Sequence, residues 1–426
     1  MPYTPAELNV MQRTRKEPPN WDLVEPVVDW MDVGLESRAE DFVRVRQYLH
    51  ANPELSGQER ETTSFLKVEL DGTNLTTRQG RDGLGLIADL KVGNPNENTP
   101  LIAVRADIDA LPLPDKKGKP YSSRHENVTH ACGHDAHASI ALGTARVFSM
   151  LQTELAEISP DFAARLRFIF QPAEEICAGA EWMIEQGALE GVSAILGLHL
   201  EPQLRAGHVG IRYGVMTAYC DELAVTIEGQ GGHSARPHLT TDPIATATQL
   251  ISLLYTMLPR NVDSRDAAVF SVGTIHGGKA PNIIPDGVEF GATLRTTDPD
   301  ARRTLKQKIR KCCETIAEAT GNRIEAKFSR PLIAVVNDES ITGTVQNAAT
   351  QVVGEDNIHI IKKPSLGGED FALYVNEVPG CMFRLGCAGA DDWPPLHSPH
   401  FDIDESCLTV GAGIFARTIL LLSQTL

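Results

Sequence analysis

The sequence predicts an α/β catalytic domain interrupted by a smaller inserted domain of the ferredoxin-like βαββαβ type. Three observations carry this expectation. Between Gly85 and Leu200, short apolar runs alternate with helically spaced stretches, the pattern of a sheet with helices on both faces. Between Glu222 and Phe328 the order changes to β-α-β-β-α-β, a self-contained split βαβ unit. Beyond it, helical and strand segments resume to the end of the chain, with motifs that belong with the first part. A length of 426 residues allows two or three domains at roughly 150 residues each.

The elements follow in order. From Asp41 to Leu70 the apolar spacing is helical, and Asn52-Pro53 divides it into two helices. Gly85–Val92 and Pro100–Ala106 read as strands, the second a short apolar run suited to a buried position. Ala136–Leu151 is a helix, Arg165–Phe170 a strand, Gly179–Gln186 a helix and Ala194–Leu200 a strand. In the insert, Glu222–Glu228, Ala268–His276, Gly287–Leu294 and Arg323–Phe328 are strands. The first insert helix opens at Asp242-Pro243, cap and first-turn residues, and the second runs over Pro299–Thr320 until Gly321-Asn322 stops it. The resulting division is an extension over residues 1–40, catalytic segments at 41–216 and 330–426, and an inserted domain at 217–329, to which the family resemblance given below adds the role of lid and dimerisation domain.

Hydrophobic content of 42% and charged content of 22% are those of a globular protein. A net charge of -17 gives no general attraction to nucleic acid or anionic lipid, so neither partner is expected. None of the eight cysteines forms a C-x-x-C pair, which points to buried thiols and perhaps one metal ligand, not a disulfide framework. The first residues lack the apolar run of a signal peptide, and the apolar stretch at Thr418–Leu422 is too short to span a bilayer; a cytoplasmic protein is expected.

The densest cluster of metal-binding side chains is His130-Ala-Cys-Gly-His-Asp-Ala-His137. Cys132 and His134 flank a glycine that permits a tight turn before a helix, and thiolate and imidazole two residues apart can reach one metal or bridge two. Glu174 and Glu175 follow a strand in Phe170-Gln-Pro-Ala-Glu-Glu175, where one carboxylate can bind metal and the other move protons. His199 ends an apolar strand, and His397 lies between two prolines. Asp107, at the end of the Pro100–Ala106 strand, is placed to orient a ligand. No zincin H-E-x-x-H, G-x-S-x-G or Walker A pattern is present.

Taken in order, RADIDALP, HACGHDAH, FQPAEE, GLHLEP, GGHSARPH, PNIIPD, GGEDFALY and LHSPHFDIDE resemble the M20 metallopeptidases, and within them the amidohydrolase branch of hippurate and indole-acetyl-amino-acid hydrolases. The resemblance runs from about residue 47 to the end. It implies two divalent metals per subunit, zinc or manganese, with Cys132, His134, Glu175, His199 and His397 as ligands and Glu174 as general base. Asp107 would be the orienting aspartate. It further implies a homodimer formed through the inserted domain, His233 reaching an active site, often the partner's, and Asn282 and Arg295 holding the substrate carboxylate. Many M20 peptidases have histidine where this chain has Arg105, a departure that agrees with the amidohydrolase branch. The implied reaction is hydrolysis of an N-acyl amino acid; an aminopeptidase or dipeptidase, or an inactive metal-binding relative, is the alternative.

Overall fold

The computed structural model describes residues 24–159 and 162–426. The chain forms two compact units. The first contains Met1–Gly214, Val335–Lys362 and Asp370–Leu426; the second contains Val215–Ala334 and Lys363–Glu369.

In chain order the elements are α1 (Glu25–Glu36), α2 (Ala39–Ala51), α3 (Arg60–Glu69), β1 (Thr76–Gln79), β2 (Leu86–Val92), β3 (Leu101–Asp107) and α4 (His134–Ile158). Then come β4 (Ala164–Gln171), α5 (Gly179–Glu185), β5 (Val192–Arg205) and β6 (Val209–Ile211). The second unit supplies β7 (Tyr219–Glu228), β8 (Gly232–His233), α6 (Pro243–Met257), β9 (Ala268–Gly277), β10 (Ile283–Ile284), β11 (Gly287–Thr296), α7 (Pro299–Thr320) and β12 (Arg323–Leu332). The first unit resumes with α8 (Glu339–Val353), β13 (Ile358–Ile360), α9 (Phe371–Glu377), β14 (Gly380–Ala388) and α10 (Cys407–Thr425).

The first unit is built on a sheet of order β1-β2-β4-β3-β5-β14-β6-β13. Its centre is parallel: β3 pairs with β4 and β5, and β5 with β14. Every residue of β3 and β14 is buried, which is why β3 reads as an unbroken apolar run up to Arg105 and Asp107. The register sets Asp107 opposite Gln171 and Arg105 opposite Gly197, so the ends of β3 and β4 come level with His199. In such sheets, crevices at the carboxyl ends of the strands receive ligands.

The second unit holds a four-stranded antiparallel sheet, β9-β11-β7-β12, with α6 and α7 packed against it through Leu250, Leu254, Leu305 and Ile309. Asp242 caps α6 by accepting from the Ile244 and Ala245 amides, and Gly321 ends α7 with φ at 73°.

Two departures from the sequence reading have clear causes. Residues 1–40 were assigned to an extension, and residues 1–23 lie outside the described residues. Glu25–Glu36, however, is a helix whose Val27, Met31 and Leu35 are buried in the main core. Lys363–Glu369, assigned to the last catalytic segment, belongs to the second unit. Its backbone is tied there, with the Ser365 amide donating to Met216, the Ala218 amide to Gly367 and the Arg295 side chain to the Leu366 carbonyl. The C-terminal helix α10 is long and apolar enough to cross a membrane, but 78% of its most apolar window is buried inside the molecule, where it packs on α8, α4 and α1.

One cluster of charged groups inside the first unit is held together by ion pairs. Arg46, fully buried on α2, donates to Asp135 at 2.9 Å, Asp402 at 2.9 Å and Glu405 at 3.2 Å, and its guanidinium lies over the Tyr121 ring. The imidazole of His50, one turn on, sits between Asp135 at 2.6 Å and Asp115 at 3.2 Å. Burial works against charge at Asp135, but Arg46 and His50 hold its carboxyl well below the usual range. Arg46→Met should therefore lower the unfolding free energy by about 3–5 kcal/mol, because it strips the buried Asp135 of its guanidinium and leaves it only the His50 imidazole. Urea unfolding checks this; a loss under about 1 kcal/mol, the scale of an exposed pair, would contradict it.

Candidate metal centre

Cys132 and His134 lie on the loop entering α4 and at its first residue. Gly133 between them has φ at 90°, and a Cβ there would stand 2.5 Å from the Leu200 side chain, so only glycine fits. The turn leaves Cys132 6% and His134 1% exposed, both directed inward. Glu174 and Glu175 follow β4 on a turn that begins with Ala173 at φ 55°, and His199 sits within β5. His397 arrives on the loop before α10. Its φ is 61°, an uncommon conformation for a non-glycine residue, and its amide donates to the Ala131 carbonyl at 2.7 Å.

These five side chains and Glu174 converge. Cys132 Sγ is 3.4 Å from His199 Nε2, and His134 Nε2 is 3.9 Å from Glu175 Oε1 and 4.0 Å from Glu174 Oε2. His397 Nε2 is 3.7 Å from Glu175 Oε1. Two ligand groups overlap: Cys132 with His134 and His199, and Cys132 with Glu175 and His397. At metal–ligand distances of about 2.0–2.3 Å, a tetrahedral ion spaces its ligands about 3.3–3.8 Å apart, close to these separations.

In the two buried rings, hydrogen bonds fix which nitrogen faces inward. His199 Nδ1 donates to the Leu200 carbonyl at 2.7 Å, leaving Nε2 toward Cys132. Burial, helped by Arg384, pushes His199 well below the ordinary histidine value, so its inward nitrogen keeps a lone pair. His134 Nδ1 donates to the carbonyl and carboxylate oxygens of Asp109 at 3.0 and 3.1 Å. His134 Nε2 and Glu175 Oε1 are both buried without a hydrogen-bond partner, as groups built to meet a metal would be. Burial opposes a charge on His134, yet Asp107 and Cys132 raise it well above its ordinary value: the site attracts positive charge. Burial pushes the Cys132 thiol far up; a divalent ion would invert that preference. The residues fit a metal pair.

The orienting aspartate differs from the sequence reading. Asp107 is fully buried, but it holds His137, accepting from Nδ1 at 2.6 Å, while His137 Nε2 accepts the Leu200 amide at 3.0 Å. Both nitrogens of His137 are thus occupied. Asp107 is also gripped by Arg105 at 2.6 Å and lies 3.6 Å from the inward nitrogen of His134. The residue that orients His134 is Asp109, whose second oxygen accepts from the Ser56 hydroxyl at 2.7 Å and the Glu175 amide at 3.0 Å. Arg105 is anchored further by Asp370 at 2.8 Å and Gln171 at 2.8 Å. His130 belongs to none of the ligand groups among the described residues, and burial lowers it to about 4.

His233, Asn282 and Arg295 belong to the second unit. His233 Nδ1 accepts the Ala235 amide at 3.1 Å, so its hydrogen is on Nε2 and the exposed edge of the ring is a donor. Asn282 is its neighbour, with β10 pairing to β8 and the Ser234 amide donating to the Asn282 carbonyl. Arg295 stands apart from that pair. It is eight residues along β11 from Gly287, about 26 Å at the strand rise, and its guanidinium donates to the Leu366 carbonyl. Within one chain, Asn282 and Arg295 do not meet.

Comparison with known proteins agrees with this geometry. Residues 103–421 match the profile of peptidase family M20/M25/M40. The chain is 40% identical over 377 residues to N-acetyl-L-cysteine deacetylase of Bacillus subtilis (88% of this chain, 86% of the relative). It is 34% identical over 390 residues to IAA-amino acid hydrolase ILR1-like 5 of Arabidopsis thaliana (89% and 87%). The crystal structure of the Bacillus subtilis YXEP protein, described as a dinuclear metal binding peptidase from the M20 family, superposes with a TM-score of 0.78 at 35% identity, covering 92% of this chain and 99% of that one. The chain belongs to peptidase family M20/M25/M40 and is a hydrolase of amide C–N bonds.

Proposed function

We propose that this protein hydrolyses the amide bond of N-acyl amino acids at a centre holding two divalent metal ions. The observation that carries the reading is the pair of overlapping ligand groups sharing Cys132, with the Glu174 carboxylate beside them. Relatives named as an N-acetyl-L-cysteine deacetylase and an IAA-amino acid hydrolase support the substrate class. One ion would be held by Cys132, His134 and His199, the other by Cys132, Glu175 and His397. A thiolate favours zinc, while carboxylate and imidazole also suit manganese.

When bound, the ions supply Lewis acidity to the amide carbonyl and acidify the attacking water. Glu174, 7% exposed at the edge of the ligand set, takes the proton of that water as its oxygen attacks the carbonyl carbon. It then delivers the proton to the amide nitrogen, and the C–N bond breaks to release acid and amine. Asp109 keeps His134 aimed inward throughout. His233, with its hydrogen on Nε2, would donate to the oxyanion, where a donor is worth about 3 kcal/mol.

A homodimer through the second unit is part of this reading. Strand β9 pairs with β11 alone among the described residues, so its other edge is one that a second copy can cover. Asn282 and Arg295 would hold the substrate carboxylate in this reading; the Leu366 carbonyl takes one N–H of the Arg295 guanidinium and leaves its other donors.

Three experiments test the reading. Chelation should abolish release of amino acid from hippurate, and zinc or manganese should restore it; full activity in demetallated protein, or faster cleavage of a free dipeptide, would contradict it. Glu174→Gln should retain both metals while losing about 10²–10⁴-fold in kcat, whereas Glu175→Gln should lose metal too. The opposite pattern in metal analysis would exchange the two roles. Finally, His233→Ala and Glu174→Gln proteins should each be nearly inactive. If His233 serves the partner subunit, mixing them under subunit exchange should recover about a quarter of wild-type activity, because half the dimers then hold one complete site. No recovery, with exchange verified independently, would assign His233 to its own chain or to no catalytic role.

A further inference from the structure

Glu59 is a buried carboxylate that the proposed chemistry does not use. It stands at the start of α3, wholly inaccessible, and its Oε1 accepts two amides, from Gly57 at 3.0 Å and from Ala173 at 2.8 Å. Ala173 is the residue before Glu174. It is fully buried with φ at 55°, a conformation that costs a side-chain-bearing residue about 1–2 kcal/mol. The same turn is closed from its other side, where the Ala173 carbonyl accepts from the Ala178 and Gly179 amides at 3.2 and 3.1 Å. Two residues on, Asp109 holds the Glu175 amide and is itself held by Ser56, on the same loop as Glu59. The loop before α3 thus grips the glutamate turn at two points, directly through Glu59 and indirectly through Ser56 and Asp109.

We propose that Glu59 is a positioning residue: by fixing the Ala173 amide it holds the left-handed turn that aims Glu174 and Glu175 at the metal centre. The acceptor Oε1 is the working atom. Oε2 is buried without a hydrogen-bond partner, and burial, with Asp109 nearby, pushes the carboxyl up to about 7. A proton on Oε2 therefore removes a charge that burial penalises and leaves Oε1 free to accept both amides. The role needs an acceptor oxygen, not a negative charge, so glutamine should replace Glu59 and an apolar side chain of the same length should not.

This inference rests on the metal-centre reading, and the experiment separates the two. Wild type, Glu59→Gln, Glu59→Met, Ala173→Gly and Glu59→Met/Ala173→Gly are compared by calorimetric titration of the metal-free proteins with Zn²⁺, by hippurate kcat and KM, and by thermal unfolding. Glu59→Met, which keeps the volume and removes the acceptor, should bind Zn²⁺ at least about tenfold more weakly and lose kcat about tenfold or more with KM little changed, the scale of one buried amide left unpaired. Glu59→Gln should stay within about threefold of wild type, the range of a neutral acceptor replacing another. Ala173→Gly in the Glu59→Met background should recover about fivefold in Zn²⁺ affinity and kcat, since glycine removes the left-handed penalty. Core filling alone predicts no such rescue. Wild-type-like Zn²⁺ binding in Glu59→Met, or the absence of rescue, overturns the role of Glu59 while leaving the metal centre intact. A wild-type protein that neither binds Zn²⁺ nor cleaves hippurate overturns both.

Discussion

A buried imidazole meets a metal with the right nitrogen when a hydrogen bond fixes the other one, and His199 and His134 at this centre depend on that constraint. His199 meets it within its own strand, donating Nδ1 to the next residue's carbonyl. His134 meets it through Asp109, whose other oxygen also holds the backbone of Glu175. One aspartate therefore couples the direction of an imidazole on α4 to the position of a carboxylate after β4. His137, in the same cluster, shows the opposite outcome. Asp107 takes one nitrogen and the Leu200 amide the other, so it braces β5 against β3 and has no lone pair left for an ion.

The remaining scaffold serves to hold these segments together. The parallel centre of the sheet brings Asp107, the glutamate turn and His199 level, although Asp107 and His199 are more than ninety positions apart in the chain. Behind the ligands, Arg46 ties α2 to Asp135, the neighbour of His134, and to Asp402 and Glu405 on the stretch that follows His397. Ion pairs of this kind are weak as a source of net stability, but they are directional. Here they lock two segments that no strand pairing joins among the described residues, alongside the direct backbone bond from His397 to Ala131.

Much of this was legible in the sequence, and the failures have physical reasons. The strands and helices of both units followed from apolar period and from caps such as Asp242-Pro243 and Gly321, because those signals are local. Of the six side chains that converge at the centre, Cys132 and His134 stood out in one dense motif, while Glu174, Glu175, His199 and His397 became a set only through the ordered motifs that resemble the M20 family. Asp109 did not stand out, because nothing local distinguishes it from Asp107; the difference is which imidazole each meets across the fold. Glu59 was equally silent, since its partner is an amide more than a hundred residues away. The helix Glu25–Glu36 sits beside a polar, proline-containing leader that masked its apolar stripe of Val27, Met31 and Leu35. Arg295 was placed by motif position alone, and its bond to the Leu366 carbonyl was not legible because that segment returns to the second unit late in the chain.

The adjacent glutamates show why backbone conformation belongs in the chemistry. Along a strand, successive side chains point to opposite faces, so a continuation of β4 would direct only one of Glu174 and Glu175 to the centre. Both nevertheless lie within about 4 Å of His134 Nε2. The chain achieves this by leaving the strand at Pro172 and entering positive φ at Ala173, then closing the turn with Cys177, also at positive φ, whose amide donates to the Glu174 carbonyl at 2.7 Å. Neither residue is a glycine, so the fold has to maintain a conformation that the side chains disfavour. The benefit is that two carboxylates of identical chemistry reach one site from neighbouring positions with different surroundings. Glu175 lies within reach of both His134 and His397 and Glu174 within reach of His134, the difference on which the proposed division between metal ligand and proton carrier rests.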